Sequence, residues 1–553
     1  MECVHRRPKR CLPFDELEDS ALPLLHVSRS HSPPHERRPT TAVDLLCQQS
    51  RPYWRLLLCV GIAAATFGVL VGTFALAPFV RASTISADDA FLASRAVDEL
   101  YARQSKTLAQ AAARYTLRTG RRPPARYDRW FDFAREKGCL IDEYDRIHRD
   151  FKVWYQLAVH APTHFREMIA RATRKLDGVA AEISRVEVLD GTVSITGSTA
   201  YDYYWQSTIS RFSQHLPDMT VLMNGRDEPR VAFNYRARSA QEVALAPNDS
   251  TPFMHEPRPT IDFFTQQSGC DVPAQATGFM KSVNGDSAFL LATAKPGFTT
   301  DLYPILSMSK ISPCFADILF PTEYYYDQSW WAPHFSYPDN IPWEAKKDLA
   351  YWRGMSNGGM IIGSNYHHFA RFRLMDISRA RPDLIDAKIT LFAETLCAEG
   401  CDRAAVVAEY NITGSGEARE ELYRYKYAID VDGTTFSGRF LGLLRSGSLV
   451  LKSTVFEEYF NDWLRPFEHF VPILPDLSDL AEKIQWANAH PDEARLIQQR
   501  GLEVARRVIT DNQNDCYFFA VLVEWAQLLE YAKIVWVIER TRGVRRTRGL
   551  NPA

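Results

Sequence analysis

The chain has 553 residues, of which 46% are hydrophobic and 24% are charged, and its formal net charge is -2. This length and composition fit two or three globular domains. Because the 65 basic and 67 acidic residues almost cancel, the overall charge excludes the strongly basic balance of a nucleic-acid-binding chain, and no nucleic-acid partner is expected.

The first 80 residues predict a membrane anchor. Residues 1–54 are rich in Arg, Pro, His and Ser, which indicates a disordered tail. The run from Leu56 to Val80 contains no charged residue and is long enough to cross a bilayer as a helix. Since basic residues lie mainly before it, we expect a type II signal anchor over residues 55–80, with a cytoplasmic tail and a lumenal C-terminal part. A Golgi membrane of the secretory pathway is the favoured location.

Six of the ten cysteines follow the predicted anchor, an even number in a compartment that allows disulfides. Cys397 and Cys401 are close enough in sequence to pair around a turn. Two sequons, at Asn248 and Asn411, are candidate N-glycosylation sites.

A helical stem is predicted over residues 81–122, because an Ala- and Leu-rich segment with helical periodicity ends at Gly120. From Pro123 the chain becomes rich in aromatic residues, and a first α/β domain is predicted over residues 123–344. Helical spacing favours core packing over carbohydrate stacking for the apolar residues Trp130, Phe131, Phe133, Ile141, Tyr144, Ile147, Phe151 and Trp154.

Asp227 is the candidate catalytic residue of this domain. A hairpin is predicted from Val186 to Ile195, and a buried strand from Met219 to Met223 runs directly into a polar loop containing Asp227. Open α/β sheets place catalytic groups in such loops, so Asp227 is a candidate general base, with Arg226 or Glu228 orienting an acceptor. A solvated Asp in a Gly-Pro turn is the alternative.

Residues 236–345 are rich in Pro and aromatic side chains and have few clear helices. They suit a long inter-domain connection or an acceptor-binding wall, where Trp330 and Trp331 are candidates for stacking on sugar faces, with packing as the default.

Two strand–loop–helix units in a second α/β domain, residues 345–538, suggest an anion site. The first unit has the strand LAYWRG with Arg353, followed by a small-residue loop containing Ser356. Backbone N–H groups in such loops favour phosphate, and an arginine can fork onto a diphosphate. The spacing matches neither a Walker A loop nor a GxGxxG fingerprint, so nothing indicates ATP or NAD.

The second unit, Tyr425 to Phe456, has the strand YKYAIDV, an Asp-Gly turn and a short helical stretch opened by Gly438 and Arg439. Lys452 and Ser453 end its second strand, and Lys452 is a further candidate phosphate ligand. The residues predicted to bind the anionic ligand in the two units are Arg353, Ser356, Gly438, Arg439, Lys452 and Ser453. An ordinary βαβ unit with a surface arginine is the alternative. Asp430-Val-Asp432 is a literal Asp-x-Asp metal motif, for which a structural or ribose-binding role is preferred.

The remainder is predicted to contain an FVPI strand, two helices of which Pro491 opens the second, and a terminal amphipathic helix from Asp515 to Ile538. Residues 539–553 form an Arg-rich tail, expected to be solvated, with lipid or protein contact as the minority interpretation.

Seven segments between residues 120 and 535 resemble glycosyltransferase family 90, a group that includes xylosyltransferases and O-glucosyltransferases. In chain order they are RPPARYDRWFDFA, IDEYDRI, PDMTVLMNGRDEP, YWRGMSNGG, YKYAIDVDG, GRFLGLLRSGSLVLKS and DNQNDCYFFAVL. The resemblance implies a GT-B-like α/β fold, in which two Rossmann-like domains face each other across a cleft and the C-terminal one binds a UDP-sugar.

The resemblance also implies inverting, metal-independent transfer, with no cofactor. Asp227 matches the family's base in an Arg-Asp-x-Pro loop, Arg439 matches a diphosphate ligand, and Arg353 falls on the donor side. We therefore expect transfer of xylose or glucose from a UDP-sugar to a hydroxyl of a polysaccharide or glycoprotein. The alternative is a catalytically inactive, membrane-anchored carbohydrate-binding or scaffold protein with the same fold.

Overall fold

A computed structural model of the chain describes residues 89–176, 182–197, 199–234, 299, 302–312, 314–329 and 341–548. The predicted tail and anchor, the sequon at Asn248, and Trp330 and Trp331 lie outside these residues. Within the described part, no helix is both long and apolar enough to span a bilayer. Residues from Leu92 onward belong to one compact unit.

Twelve helices are used in the description below. They are α1 (residues 89–102), α2 (Leu108–Thr119), α3 (Tyr127–Glu136), α4 (Asp145–His160), α5 (Pro162–Leu176), α6 (Asp202–Ser210), α7 (Ala370–Ala380), α8 (Arg403–Tyr410), α9 (Phe440–Leu444), α10 (Leu480–Ala489), α11 (Pro491–Arg507) and α12 (Asp511–Arg548).

Within the described residues, ten strands form two sheets. They are β1 (Ile183–Leu189), β2 (Thr192–Thr196), β3 (Met219–Asn224), β4 (Ile305–Ser307), β5 (Ile318–Leu319), β6 (Lys347–Met355), β7 (Ile385–Leu391), β8 (Tyr425–Val431), β9 (Leu449–Ser453) and β10 (Val471–Pro472).

The first sheet has the strand order β2-β1-β3-β4-β5. Strand β1 pairs antiparallel with β2 and β3, whereas β3, β4 and β5 are parallel. The predicted hairpin is confirmed, and its turn residues Asp190 and Gly191 both have positive φ, as a two-residue type I′ turn requires.

The second sheet has the order β10-β9-β8-β6-β7 and is parallel throughout. Its predicted strands at β6, β8 and β9 are confirmed. Strand β9 is buried at every position, as expected for a parallel strand covered on both faces. Because the strands are parallel, the loops after β6 and β8 leave the same edge of the sheet, and the α/β class is confirmed.

The predicted continuous stem helix is wrong in one respect, because the chain breaks between α1 and α2. Thr107 begins α2 with a capping box to Gln110, and Ser105 donates its backbone N–H and its hydroxyl to the Asp142 carboxylate. Helix α2 is docked rather than isolated, since the Tyr115 hydroxyl donates to Glu524 of α12 at 2.8 Å.

Helix α12 packs against α3, α4 and α5, which lie in the first part of the described residues. Trp130 Nε1 donates to the Cys516 carbonyl at 3.0 Å, and a disulfide joins Cys139 to Cys516. The predicted terminal helix is thus confirmed and extended. The predicted apolar residues of α3, α4 and their connection are all buried, the predicted pair Cys397–Cys401 is a disulfide, and Pro491 opens α11 as predicted.

Candidate active site

One cavity of about 680 Å³ lies between the loop after β3 and the carboxyl edge of the second sheet. Of the residues predicted for the site, Asp227, Arg353, Gly438 and Arg439 line it. Ser356, Lys452 and Ser453 are not among its lining residues. The cavity therefore brings the predicted base and the predicted phosphate-binding arginine to one space.

The loop that carries Asp227 is held by the last residue of β3. Asn224 Nδ2 donates to the Glu228 carbonyl at 2.7 Å, and Asn224 Oδ1 accepts from the Arg226 backbone N–H at 3.0 Å. The Ser309 hydroxyl donates to the Asp227 carbonyl at 3.1 Å. These bonds fix the backbone on both sides of Asp227 and leave its carboxyl group at the cavity wall.

The environment of Asp227 suits a general base. Its withdrawal from water, with the nearby Glu228 and Glu182 carboxylates adding to the effect, raises the pKa of Asp227 to about 7, although a hydrogen bond from Tyr201 opposes the rise. A carboxyl group with this pKa is partly ionised near neutral pH and is a stronger base than an ordinary aspartate.

Two guanidinium groups lie on the opposite wall. Arg439, just before α9, and Arg371 of α7 both line the cavity, and each lies over the Trp352 ring, with distances of 5.6 and 5.5 Å to its centroid. Burial first, and then the charge of Arg439, lower the pKa of Arg371 to about 9. Burial also lowers the pKa of Arg439. Arg371 is buried and Arg439 is half-buried, and two neighbouring cations with lowered pKa values are a favourable environment for an anion.

Hydrogen bonds to backbone carbonyl groups orient these two arginine side chains. Arg439 Nη1 donates to the Arg353 carbonyl at 2.8 Å, and Arg371 donates to the carbonyls of Asp432 and Met355. Carbonyls orient a guanidinium without neutralising it, so the positive charge stays available. A Cβ atom at Gly433 would lie 2.9 Å from Arg371 Nη2, which explains the glycine there.

Three buried polar atoms of residues that line the cavity have neither a hydrogen-bond partner nor an ion-pair partner within the described part of the chain. They are Arg439 Nη2, Trp352 Nε1 and Asn357 Oδ1, two donors and one acceptor on lining residues. Buried polar groups are normally paired, so these atoms indicate a site shaped for a polar ligand.

Residues 300–540 match the family model described as glycosyl transferase family 90. The matched residues, here called the family 90 region, make up less than half of the chain. The chain is 31% identical over 187 residues to protein O-glucosyltransferase 2 of Danio rerio, which covers 34% of each chain. It is also 31% identical over 189 residues to protein O-glucosyltransferase 3 of Homo sapiens, covering 34% of this chain and 33% of that protein. With human protein O-glucosyltransferase 1 the identity is 28% over 195 residues, 34% of this chain and 44% of that one. The match thus spans about a third to less than half of these relatives' length.

Within the family 90 region, Arg353 is less available than Arg439. Its guanidinium forms ion pairs with Asp386 and Glu417, each at 2.8 Å, and it donates to the carbonyls of Trp352 and Asp386. Arg353 therefore lines the cavity with its charge already balanced by two carboxylates.

Lys452, Ser453 and Ser356 lie behind the cavity wall of the family 90 region. Lys452 Nζ is 3.1 Å from Asp430 Oδ2 in a buried pair, and the Ser437 hydroxyl donates to the other oxygen of Asp430. Ser453 donates its hydroxyl to the Leu474 carbonyl at 3.1 Å. The Ser356 hydroxyl oxygen accepts from the Ala393 backbone N–H at 2.9 Å. Their contacts support the loops rather than face the cavity.

The Asp-x-Asp motif is engaged by protein groups. Asp430 is paired with Lys452, and Asp432 Oδ2 accepts from the Val455 backbone N–H at 2.9 Å. Burial raises the pKa of Asp432 to about 7. Among the described residues, no group of three or more His, Cys, Asp and Glu side chains is arranged to hold a metal ion.

Of the two side chains predicted to orient an acceptor, Arg226 and Glu228, the first is already paired with a carboxylate. Arg226 Nε forms an ion pair with Glu182 at 3.0 Å, and both Arg226 and Glu228 are buried. The predictions from sequence did not include Arg371, Tyr201 and Tyr324, which the structure places at this site. A signal did exist for Tyr324, because it belongs to a run of three tyrosines.

Proposed function

We propose that the chain is an inverting glycosyltransferase that transfers a sugar, xylose or glucose, from a UDP-sugar to a hydroxyl of a glycan or glycoprotein. The observation that carries the proposal is the shared cavity. Asp227, whose pKa is raised to about 7, and the arginine pair Arg371 and Arg439 line the same space within a chain whose residues 300–540 match the model of family 90.

In the proposed reaction the Asp227 carboxylate takes the proton of the acceptor hydroxyl as that oxygen attacks the anomeric carbon of the sugar. The new C–O bond forms on the face opposite the nucleotide while the bond to the UDP oxygen breaks. The configuration at the anomeric carbon is therefore inverted, and the proton ends on Asp227.

Departing UDP gains negative charge, which must be stabilised. Arg439 and Arg371 are placed to do this, because each keeps its charge and is oriented by carbonyl groups. Arginines in a buried site can take the role that a divalent cation plays in other transferases, so we propose that no metal is required.

The architecture and location form part of the proposal. The two sheets would be the two domains of a GT-B-like cleft, with the donor bound mainly by the second. The disulfides Cys139–Cys516 and Cys397–Cys401 support an oxidising compartment, in agreement with a lumenal domain on a type II anchor in the Golgi.

The test is a donor screen with the purified lumenal part, in which release of UDP is measured for several UDP-sugars with candidate acceptors. Asp227→Asn should lower transfer by roughly 10²–10⁴-fold, because it removes the base, while UDP-sugar binding measured by calorimetry persists. Transfer by the wild-type protein should continue in EDTA.

Asp218→Asn is the matched control, since Asp218 is exposed and lies just before β3. Full transfer by Asp227→Asn would overturn the assignment of the base, and a strict need for Mn²⁺ would overturn the metal-free mechanism. Donor or glycan binding without any turnover would instead support the inactive carbohydrate-binding alternative.

A further inference from the structure

The short 3₁₀ helix Glu323–Tyr325 lies beside the cavity, and the three tyrosines Tyr324, Tyr325 and Tyr326 reach different parts of the structure. Tyr324 lines the cavity. The Tyr325 hydroxyl donates to Glu458 and is 3.4 Å from the Ser437 carbonyl. The Tyr326 hydroxyl donates to Asp515 of α12 at 3.2 Å. The two tyrosines that directly follow Tyr324 are thus both hydrogen-bonded to other parts of the structure.

Tyr324 connects to the proposed base through a second tyrosine. The hydroxyl oxygens of Tyr324 and Tyr201 are 3.3 Å apart, and Tyr201 Oη is 3.5 Å from Asp227 Oδ1. An ionised carboxylate only accepts hydrogen bonds, so the single proton of Tyr201 points to Asp227. The Tyr324 hydroxyl must then be the donor to Tyr201, which gives a chain of two phenols that ends on the carboxylate.

The ring of Tyr324 also touches the opposite wall. A Cβ atom at Gly438 would lie 2.7 Å from Tyr324 Cδ1, so the ring packs directly on the glycine that precedes Arg439. Tyr324 also packs edge-to-face on Phe436, with ring centroids 5.8 Å apart. One side chain therefore contacts the phosphate-side loop and, through Tyr201, the base.

We propose that Tyr324 is a positioning residue for the transfer reaction, which holds Asp227 through Tyr201 in a fixed relation to the Gly438–Arg439 turn. This inference rests on the proposed function. It assigns to Tyr324 and Tyr201 an effect on the ionisation and orientation of the base, and none on the affinity for the donor.

The variants Tyr201→Phe and Tyr324→Phe test the proposal, because each keeps its ring and loses only the hydroxyl. Without the hydrogen bond from Tyr201 the pKa of Asp227 rises, so the acid limb of kcat/KM against pH should move to higher pH, by about half a unit to one unit. At pH 6.5 activity should fall by roughly 3- to 8-fold. Tyr324→Phe should move the limb in the same direction by a smaller amount. The KM for the UDP-sugar should stay unchanged in both.

Tyr203→Phe is the matched control, since Tyr203 lies in the first turn of α6, two residues after Tyr201, and is 75% exposed. A limb that stays at the wild-type pH in both Tyr201→Phe and Tyr324→Phe, with the variants folded by circular dichroism, would overturn the inference. So would a raised donor KM with an unshifted limb, because that pattern indicates a donor contact. If Asp227→Asn abolishes transfer while these variants behave as wild type, the proposed function stands and only the positioning role fails.

Discussion

At the scale of single residues, Arg439 and Arg371 form the most informative pair. Arg371 is buried, Arg439 is half-buried, and both lie over the same indole ring. Partial withdrawal from water lowers both pKa values. In the empty protein this arrangement is unfavourable, because two cations share a poorly solvated wall. A diphosphate would relieve the repulsion and satisfy the buried Arg439 Nη2.

Replacing Arg439 by Gln should therefore weaken UDP binding by roughly 10- to 100-fold, the loss expected for a hydrogen bond to a charged group. Isothermal titration calorimetry with UDP measures this directly. The unfolding midpoint of the empty protein should not fall, because removal of one cation relieves the repulsion with Arg371.

Arg379→Gln is the control, since Arg379 is exposed at the end of the same helix as Arg371. Unchanged UDP affinity in Arg439→Gln would remove the donor-side role of this residue. A lower unfolding midpoint together with unchanged affinity would show that Arg439 is structural.

Some site residues could be predicted from the local sequence and others could not. Asp227 and Arg439 could be predicted, because each comes directly after a recognisable strand or turn. Arg371 could not, because it lies in a helix and reaches the site only through the close approach at Gly433. Lys452 was proposed as a phosphate ligand but is paired with Asp430, and in a strand buried at every position the alternation of side chains gives no indication of direction.

At the scale of elements, the turn between β8 and α9 is shaped by Tyr324. Gly438 has no room for a side chain, because a Cβ atom there would approach the tyrosine ring to 2.7 Å. The Cβ atom would also lie 2.9 Å from Cγ and 3.3 Å from Cβ of Tyr324, so a rotation of the ring alone would not remove the overlap.

Gly438→Ala should thus destabilise the protein by about 1–3 kcal/mol, as overpacking usually does, and should lower transfer by displacing Tyr324 or Arg439. A urea titration measures the first effect and UDP release the second. Gly416→Ala is the control for stability, because nothing lies within 4 Å of a Cβ atom at Gly416. Equal midpoints for both variants would contradict the proposed contact.

Longer periodic elements were predicted more successfully than short ones. Strands β6, β8 and β9 and helices α11 and α12 have strong apolar patterns, whereas β4 and β5, with three and two residues, have too few positions to show one. The break between α1 and α2 was missed because it depends on Asp142, a residue distant in sequence that binds Ser105.

At the scale of the whole molecule, α12 connects the last part of the described chain to the helices between residues 108 and 160. Sequence order assigned residues up to 538 to the second predicted domain, yet α12 contacts α2, α3 and α4 through Glu524, Cys516 and their partners. Such long-range contacts cannot be predicted from local periodicity. The disulfide Cys139–Cys516 closes a loop with a sequence separation of 377, whereas Cys397–Cys401 has a separation of 4.

Loop length makes the two disulfides a matched pair for a stability experiment. In the chain-entropy account, a cross-link stabilises the native state by restricting the unfolded chain, and its effect grows with the length of the closed loop. The double variant Cys139→Ser/Cys516→Ser should lower the free energy of unfolding by about 2–5 kcal/mol, and Cys397→Ser/Cys401→Ser by about 2 kcal/mol or less. Urea midpoints at equal protein concentration measure both. Asp515 of α12 accepts a hydrogen bond from Tyr326, which lies two residues after Tyr324 of the cavity. The variant Cys139→Ser/Cys516→Ser should therefore also lose transfer activity at lower urea than Cys397→Ser/Cys401→Ser. Equal midpoints, or a larger loss in the short-range variant, would contradict a stabilising role for the link between α12 and Cys139.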